Sequence, residues 1–243
     1  MRTDRDANSL RPIKIEPGYS IHTASVIFHA GNTIVNCTAS LSDKPPSFVE
    51  EGSGWVTAEY AMLPGSTSHR VSRDRGRKIS GRTMEIQRLI GRSLRGIIDL
   101  KALGPRSIQI DCDILNADGG TRCASITAAY IVLAQTLNKL ETAGELKTSD
   151  VLRSEVAAVS LGLIDGQLLL DLQYTEDYLA DVDLNLIMTG DGNIIEVQGT
   201  AEGKPFSRDN LNAMMDLGTQ GIEELVRLQR AYLEAHPTPG QRS

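Results

Sequence analysis

The chain has 243 residues, of which 40% are apolar and 23% charged, and its formal net charge at pH 7 is −6. This composition supports a full hydrophobic core and excludes disordered and fibrous proteins. No apolar run reaches the roughly eighteen residues of a membrane span, and the first residues lack a hydrophobic signal segment, so we expect a cytoplasmic protein that does not enter a membrane. The three cysteines have no CxxC spacing, which argues against a disulfide framework and a cysteine-based zinc site.

The first half of the chain alternates predicted strands with loops before its first helix. β-Branched residues on either side of Ala30-Gly31-Asn32 indicate a hairpin, and residues 63–81 lack hydrophobic periodicity, which predicts an exposed loop. The predicted elements are strands over 20–28, 33–40 and 55–60, a helix over 83–100, a strand over 107–114 and a helix over 121–140. The second of these helices is apolar on most sides, so we expect it to be buried.

The second half repeats this order of strands followed by a helix. Asp165-Gly166 is a strong two-residue hairpin signal, and Ser207 caps the last helix. The predicted elements are strands over 156–163, 167–173, 182–188 and 194–198 and a helix over 208–233. We therefore predict an α+β fold of two successive sheet-plus-helix units, in one domain over residues 1–236 with a disordered tail over 237–243.

Positive charge is concentrated between residues 70 and 95. This stretch holds nine basic and two acidic residues, a net charge of +7, so the remainder of the chain carries −13. Arg88, Arg92 and Arg95 of this stretch follow one another on the polar side of the first predicted helix. The asymmetry indicates a local anion-binding surface on an acidic body. A solvated helix face next to a basic loop would produce the same run, so charge alone leaves both interpretations open.

A glycine-rich turn, Asp118-Gly119-Gly120-Thr121-Arg122, leads from a predicted strand into the buried helix. Glycines allow a tight turn that exposes backbone N–H groups, and the N–H groups at a helix start carry partial positive charge. With a hydroxyl and a guanidinium added, this turn can bind a tetrahedral oxyanion. Its spacing matches neither a Walker loop nor a dinucleotide fingerprint. On these residues alone, an ordinary strand-to-helix turn with a threonine cap is equally consistent.

Acidic residues cluster between positions 171 and 185. Strand periodicity buries the apolar residues between Val182 and Met188, so Asp181, Asp183 and Asn185 are expected on the opposite face. Oxygen donors of this kind suit Mg²⁺ or Mn²⁺, which would neutralise charge on a phosphoryl group under attack. Acids on the solvent face of a strand are the alternative, and the residues alone do not decide between the two.

Four motifs in the expected order resemble those of the ribonuclease PH family, and the match runs from Leu10-Arg11-Pro12 to the last helix. The motifs cover residues 81–95, residues 110–122, Glu176-Asp177 with residues 180–185, and residues 195–203 with Phe206. One motif could be accidental, whereas four together are highly specific. The resemblance implies the ribonuclease PH fold, which is related to the second-domain fold of a small-subunit ribosomal protein.

The resemblance also implies a role for individual residues. The residues that match the site of the attacking phosphate are Arg82, Gly120, Thr121 and Arg122. Asp177 and Asp183 match the two catalytic acids, which hold a divalent metal, Mg²⁺ or Mn²⁺. The residues predicted to bind RNA are Arg70 and Arg73, which match loop arginines of the family, and Arg88 and Arg92 on the first helix. Gly65 is a departure, because many members have an arginine in this part of the loop.

The activity implied by the resemblance is phosphorolytic trimming of the 3′ end of precursor tRNA. Inorganic phosphate is the expected co-substrate, nucleoside diphosphates are the expected products, and the reaction is expected to be reversible. The expected assembly is a ring-shaped homohexamer, a trimer of dimers. Two alternatives are a non-catalytic RNA-binding ring subunit of an exosome-like assembly and a hydrolytic, metal-dependent nuclease.

Overall fold

The computed structural model describes residues 2–73 and 79–237. In the first half, the elements are β1 (Ile13–Pro17), β2 (Ala24–Ala30), β3 (Thr33–Ser42), β4 (Trp55–Met62), α1 (Gly81–Arg95), β5 (Ser107–Asn116) and α2 (Thr121–Thr142). In the second half, they are α3 (Thr148–Val151), β6 (Val156–Ile164), β7 (Gln167–Leu170), α4 (Tyr174–Asp177), β8 (Val182–Thr189), β9 (Ile194–Ala201) and α5 (Arg208–Ala235). Arg75, Arg77 and Lys78 of the basic stretch, and residues 238–243 of the predicted tail, lie outside the described residues.

Two sheets organise these elements. The first has the strand order β1-β2-β3-β5-β4, in which β4 pairs with β5 in parallel and the other neighbours pair antiparallel. The second has the order β7-β6-β8-β9 and is antiparallel throughout. The predicted α+β fold of two successive sheet-plus-helix units is confirmed.

The central helix is α2, which packs against β2 and β3 of the first sheet and against β6 of the second. This position explains its apolar surface, because both sheets bury their inner faces against it. The start of α2 meets the segment that follows β7: a Cβ atom added to Gly119 would lie 2.6 Å from the carbonyl oxygen of Leu172. None of the described helices is both long and apolar enough to cross a membrane. The cytoplasmic location stays a prediction.

The helix predicted over 83–100 is shorter and begins earlier than its apolar spacing suggests. The start is fixed by Ser80, whose hydroxyl accepts a hydrogen bond from the N–H of Thr83. The helix ends at Arg95, so the predicted end at residue 100 is wrong by five residues. Ile97 and Ile98 continue the apolar spacing beyond that end because they are buried in the turn that follows the helix.

The elements that the sequence pattern does not indicate are short. Both α3 and α4 have four residues, which is about one helical turn and too short to show a hydrophobic period. The strand predicted over 167–173 ends at Leu170, because Asp171 has a φ of +56° and leaves the extended conformation. The residues after this bend form α4, which carries Asp177.

Candidate active site

A cleft of about 440 Å³ lies where the start of α2 meets α1, α4 and β8. The residues expected to form the catalytic centre all line this cleft: Arg82, Gly120, Thr121, Arg122, Asp177 and Asp183. They come from both halves of the chain and from four different elements. The fold therefore brings together groups that are far apart in the sequence.

The start of α2 supplies backbone donors to the cleft. Gly119 and Gly120 have φ angles of +76° and +62°, a conformation that glycine adopts without steric cost. No described side chain caps this helix end, so its first N–H groups are available to an anion. Thr121 is the first residue of the helix and not its cap, so the threonine-cap interpretation is wrong. Arg11 supports the turn from behind, donating through Nη1 to the carbonyl oxygen of Asp118 at 2.6 Å.

The hydroxyl of Thr121 has a buried partner, the hydroxyl of Tyr60 at 2.9 Å. Burial raises the pKa of Tyr60, so this hydroxyl keeps its proton and can act as a donor. When Tyr60 donates to Thr121, the proton of Thr121 is free for a ligand in the cleft. No local pattern points to Tyr60, because its partner lies 61 positions away.

Two arginines add positive charge to the cleft. Arg82 lies in the first turn of α1 and is exposed. Arg122 lies in the first turn of α2 and is partly buried. Its Nη1 donates to Oε1 of Gln198 at 2.8 Å and lies 3.4 Å from Oε1 of Glu85. Two guanidinium groups and the start of α2 thus converge on one cleft, an arrangement that favours a bound anion.

The two carboxylates of the cleft, Asp177 and Asp183, carry perturbed pKa values. Burial raises the pKa of Asp183 to about 6, the neighbouring carboxylate of Asp177 adds to this rise, and Arg122 opposes it. Asp177 lies at the exposed rim, yet partial burial raises its pKa as well, against the influence of Arg82 and Arg122. Carboxylates that disfavour each other's ionisation are stabilised by a shared cation.

The donors present fit a cation that is shared with a bound phosphate. Mg²⁺ commonly binds one or two carboxylates together with substrate phosphate and water. Within residues 2–73 and 79–237, no group of three or more His, Cys, Asp or Glu side chains could enclose a metal ion. Asp181, expected on the same strand face as Asp183, instead accepts a hydrogen bond from the N–H of Asp165 and does not line the cleft. Asn185 does line the cleft.

Residues near the amino terminus hold in place the segments that line the cleft. Glu176, in the short helix α4, accepts hydrogen bonds from Arg2 at 2.7 and 2.8 Å and from Arg5 at 3.2 Å. Arg11 forms a buried ion pair with Asp171 at 2.7 Å, at the bend before α4. Because Arg11 also binds the glycine-rich turn, one side chain connects this turn to the segment that leads to Asp177.

The loop that carries the arginines expected to bind RNA lines the cleft with Thr67 and Val71. Arg70 and Arg73 are both exposed. Arg73 lines a second groove, which meets the cleft at Arg82. A Cβ atom on Gly65 would have no neighbour within 4 Å, so the structure leaves open space at the point where a side chain would begin.

The helix arginines differ from one another in their surroundings. Arg88 is exposed on α1. Arg92 forms an ion pair with Glu196, through Nε at 2.7 Å and Nη2 at 2.6 Å. Arg95 lies over the ring of Trp55, with 4.5 Å between the guanidinium carbon and the ring centroid. The polar side of α1 therefore combines a solvent-exposed arginine with two that have partners in the protein.

The cleft also contains an aromatic residue that the motifs do not indicate. Tyr174, the first residue of α4, lines the cleft and is 58% exposed. Its N–H donates to a carboxylate oxygen of Asp118 at 3.3 Å, which connects α4 to the glycine-rich turn. An exposed aromatic ring offers a face on which any nucleobase can stack.

Comparisons with known proteins identify relatives along almost the whole chain. Residues 9–137 match the first domain of the 3′ exoribonuclease family, and residues 154–221 match its second domain. A ribonuclease PH of Rhodopirellula baltica is 53% identical over 235 residues, which span 94% of this chain and 96% of that protein.

Two solved structures share the fold at low sequence identity. Rrp46 of rice (Oryza sativa) has a TM-score of 0.75 and 17% identity, covering 95% of this chain and 98% of that one. The Archaeoglobus fulgidus exosome with RNA bound to the active site has a TM-score of 0.75 and 18% identity, covering 94% of this chain and 91% of that one. At such identities the likeness concerns the fold alone.

Proposed function

The chain belongs to the ribonuclease PH family of 3′ exoribonucleases, and from this premise we propose that it trims precursor tRNA by phosphorolysis in the cleft described above. The protein is a phosphate-dependent 3′–5′ exoribonuclease. We place the active site in this cleft because five groups meet there: Arg82, Arg122, the start of α2, Asp177 and Asp183.

The reaction follows from these groups. Orthophosphate binds to the N–H groups at Gly120 and Thr121 and to the two arginines, which reduce its repulsion from the RNA phosphate. A phosphate oxygen attacks the phosphorus of the last phosphodiester, and the bond from that phosphorus to O3′ of the preceding ribose breaks. The electron pair stays on O3′, which receives the proton of the attacking phosphate. The terminal nucleotide leaves as a nucleoside diphosphate, and a diphosphate in excess drives the reverse reaction.

The protein contributes mainly position and charge to this step. Phosphoryl transfer needs in-line placement of the attacking and leaving oxygens and stabilisation of charge on the oxygens between them. We propose that Asp177 and Asp183 hold Mg²⁺ or Mn²⁺, which supplies positive charge to those oxygens. A direct check is binding of Mn²⁺ followed by electron paramagnetic resonance. We expect one site per chain that is lost in Asp183→Asn, and undiminished binding in that variant would contradict the assignment.

Four exposed arginines in residues 70–95 are proposed contacts for the RNA backbone. Arg70, Arg73 and Arg88 are exposed and can each neutralise a phosphate. Arg92 is also proposed, and it would have to give up its ion pair with Glu196, so we expect it to contribute less than the others.

A ring-shaped homohexamer, built as a trimer of dimers, is the proposed assembly. Large apolar side chains on the described surface support subunit contacts, among them Tyr19 at 74%, Ile21 at 90%, Phe48 at 72% and Tyr178 at 79% exposure. Light scattering on the full chain tests the proposal. A clean monomer at working concentration would contradict it.

One incubation separates phosphorolysis from its two alternatives. RNA labelled at its 3′-terminal nucleotide is incubated with and without orthophosphate, and the released product is identified. We expect nucleoside diphosphate in the presence of phosphate and no release without it. Nucleoside monophosphate in phosphate-free buffer would indicate a hydrolytic nuclease, and no product under any condition would indicate a non-catalytic ring subunit.

A further inference from the structure

Arg122 is held by a glutamine whose amide also binds two carboxylates, one of which, Glu85, makes a long ion pair with Arg122 itself. Oε1 of Gln198 accepts from Nη1 of Arg122 at 2.8 Å. Nε2 of the same amide donates to Oε1 of Glu85 at 3.2 Å and to Oε1 of Glu196 at 2.9 Å. Because both amide protons point at carboxylates, the amide oxygen can only face the guanidinium. The orientation of Gln198 is therefore determined by its partners.

The other end of this hydrogen-bond network is attached to α1, the helix that carries Arg82. Glu196 lies two residues before Gln198 on β9, and it is bound by the guanidinium of Arg92 at 2.6 Å. Arg92 and Glu85 both belong to α1. The network thus joins α1 in the first half of the chain to β9 in the second, and Arg122 is positioned relative to both.

The chemical type of the residue at position 198 matters because of charge. A carboxylate bonded directly to Arg122 would compete with phosphate for the guanidinium, since ion pairing draws on the same positive charge. A neutral amide oxygen orients the guanidinium without neutralising it. The amide also donates a hydrogen bond to Oε1 of Glu85. This oxygen lies 3.4 Å from Nη1 of Arg122, which is at the outer limit of a hydrogen bond.

We propose that Gln198 is a positioning residue that holds Arg122 in the cleft, keeps the ion pair between Arg122 and Glu85 long, and lies between Arg122 and Glu196, so that the charge of Arg122 is available to the attacking phosphate. This inference rests on the proposed function for the identity of the ligand. In this inference, Glu196 and Arg92 fix the orientation of the glutamine. Replacing Gln198 should therefore lower the affinity for phosphate more than the affinity for RNA.

The decisive comparison is between Gln198→Glu and Gln198→Ala. The glutamate has nearly the shape of glutamine and adds a negative charge, so we expect KM for phosphate to rise by roughly tenfold or more. The alanine removes the hydrogen bond without adding charge, so we expect a smaller rise, about threefold to fivefold. In both variants kcat at saturating phosphate and KM for RNA should change less than KM for phosphate. A residue that only fills space predicts the opposite order, because alanine leaves the larger defect.

A matched control exists on the first sheet. Gln109 donates through Nε2 to Oε1 of Glu59 at 3.2 Å and does not line the cleft. Gln109→Glu makes the same chemical change beside a carboxylate, and it should leave KM for phosphate within about twofold of the unchanged protein. Circular dichroism and light scattering on all variants confirm that folding and assembly are retained.

Direct binding of orthophosphate, measured by calorimetry without RNA, separates failure of the inference from failure of the proposed function. If the unchanged protein binds phosphate and does not release nucleoside diphosphate, the proposed function fails and the variants still test the inference by their Kd. If the unchanged protein carries out phosphorolysis and Gln198→Glu has an unaltered Kd and KM for phosphate, the inference is overturned. A larger loss for alanine than for glutamate would overturn it as well.

Discussion

Replacing Asp183 with asparagine is expected to stabilise the metal-free protein while it removes activity. Burial and the carboxylate of Asp177 raise the pKa of Asp183 from 3.8 to about 6. At neutral pH the ionised carboxylate is therefore less favourable in the folded protein than in the unfolded chain, by about 3 kcal/mol. Solvent reaches this side chain in the open cleft, and screening reduces the expected gain from the uncharged amide to about 1–2 kcal/mol.

The stability gained by Asp183→Asn depends on pH, because the pKa of Asp183 is higher in the folded protein than in the unfolded chain. Below about pH 4 the carboxyl group is protonated in both states, so the variant gains nothing from losing it. Between about pH 4 and about pH 6 the folded protein keeps a proton that the unfolded chain has released, so the unchanged protein loses stability as the pH rises. Above about pH 6 the advantage of Asp183→Asn is complete and constant.

Urea unfolding at several pH values in the presence of a chelator measures this advantage. Asp216→Asn on α5 is the control, because it removes an exposed carboxylate that does not line the cleft. Added Mg²⁺ should stabilise the unchanged protein and not Asp183→Asn, since binding to the folded state alone adds stability. A variant that is less stable at pH 7.5, or an advantage that is the same at pH 4 and pH 7.5, would refute the reasoning.

Gly119→Ala places a Cβ atom 2.6 Å from the carbonyl oxygen of Leu172 at a φ of +76°, so turnover should fall at least about tenfold; normal steady-state kinetics would contradict the role of the turn. Asp171→Ala leaves the buried guanidinium of Arg11 without its partner and should cost about 3–5 kcal/mol in urea unfolding. A loss below about 1 kcal/mol would show that the pair does not support the fold. Arg73→Ala should weaken RNA binding and lower its salt dependence without changing KM for phosphate, and an unchanged salt dependence would argue against a backbone contact.

Much of the fold is visible in local patterns of the sequence. The alternation of Ile108, Ile110, Cys112 and Ile114 predicts β5, and the apolar surface of α2 predicts its central position between the sheets. The chemistry of the glycine-rich turn allows a helix start that binds an anion, but its residues alone leave an ordinary strand-to-helix turn equally consistent. The roles of Arg82, Asp177 and Asp183 depend on resemblance, because no spacing in the chain connects them.

Other parts of the site have no local signal. Arg122 and Gln198 are 76 positions apart, and Tyr60 and Thr121 are 61 apart, so their contacts exist only after both sheets have packed on α2. The helix α4 is also hidden, because its four residues show no period and its position depends on the left-handed bend at Asp171. Long-range contacts of this kind follow from tertiary packing and not from the order of neighbouring residues.

The most direct test of phosphorolysis in this cleft uses orthophosphate labelled with ¹⁸O on all four oxygens. When the protein trims RNA in this phosphate, we expect the released nucleoside diphosphate to carry all four labelled oxygens in and adjoining its terminal phosphate, and we expect Arg122→Ala to abolish its formation. Unlabelled nucleoside monophosphate, with oxygen derived from water, would contradict attack by phosphate.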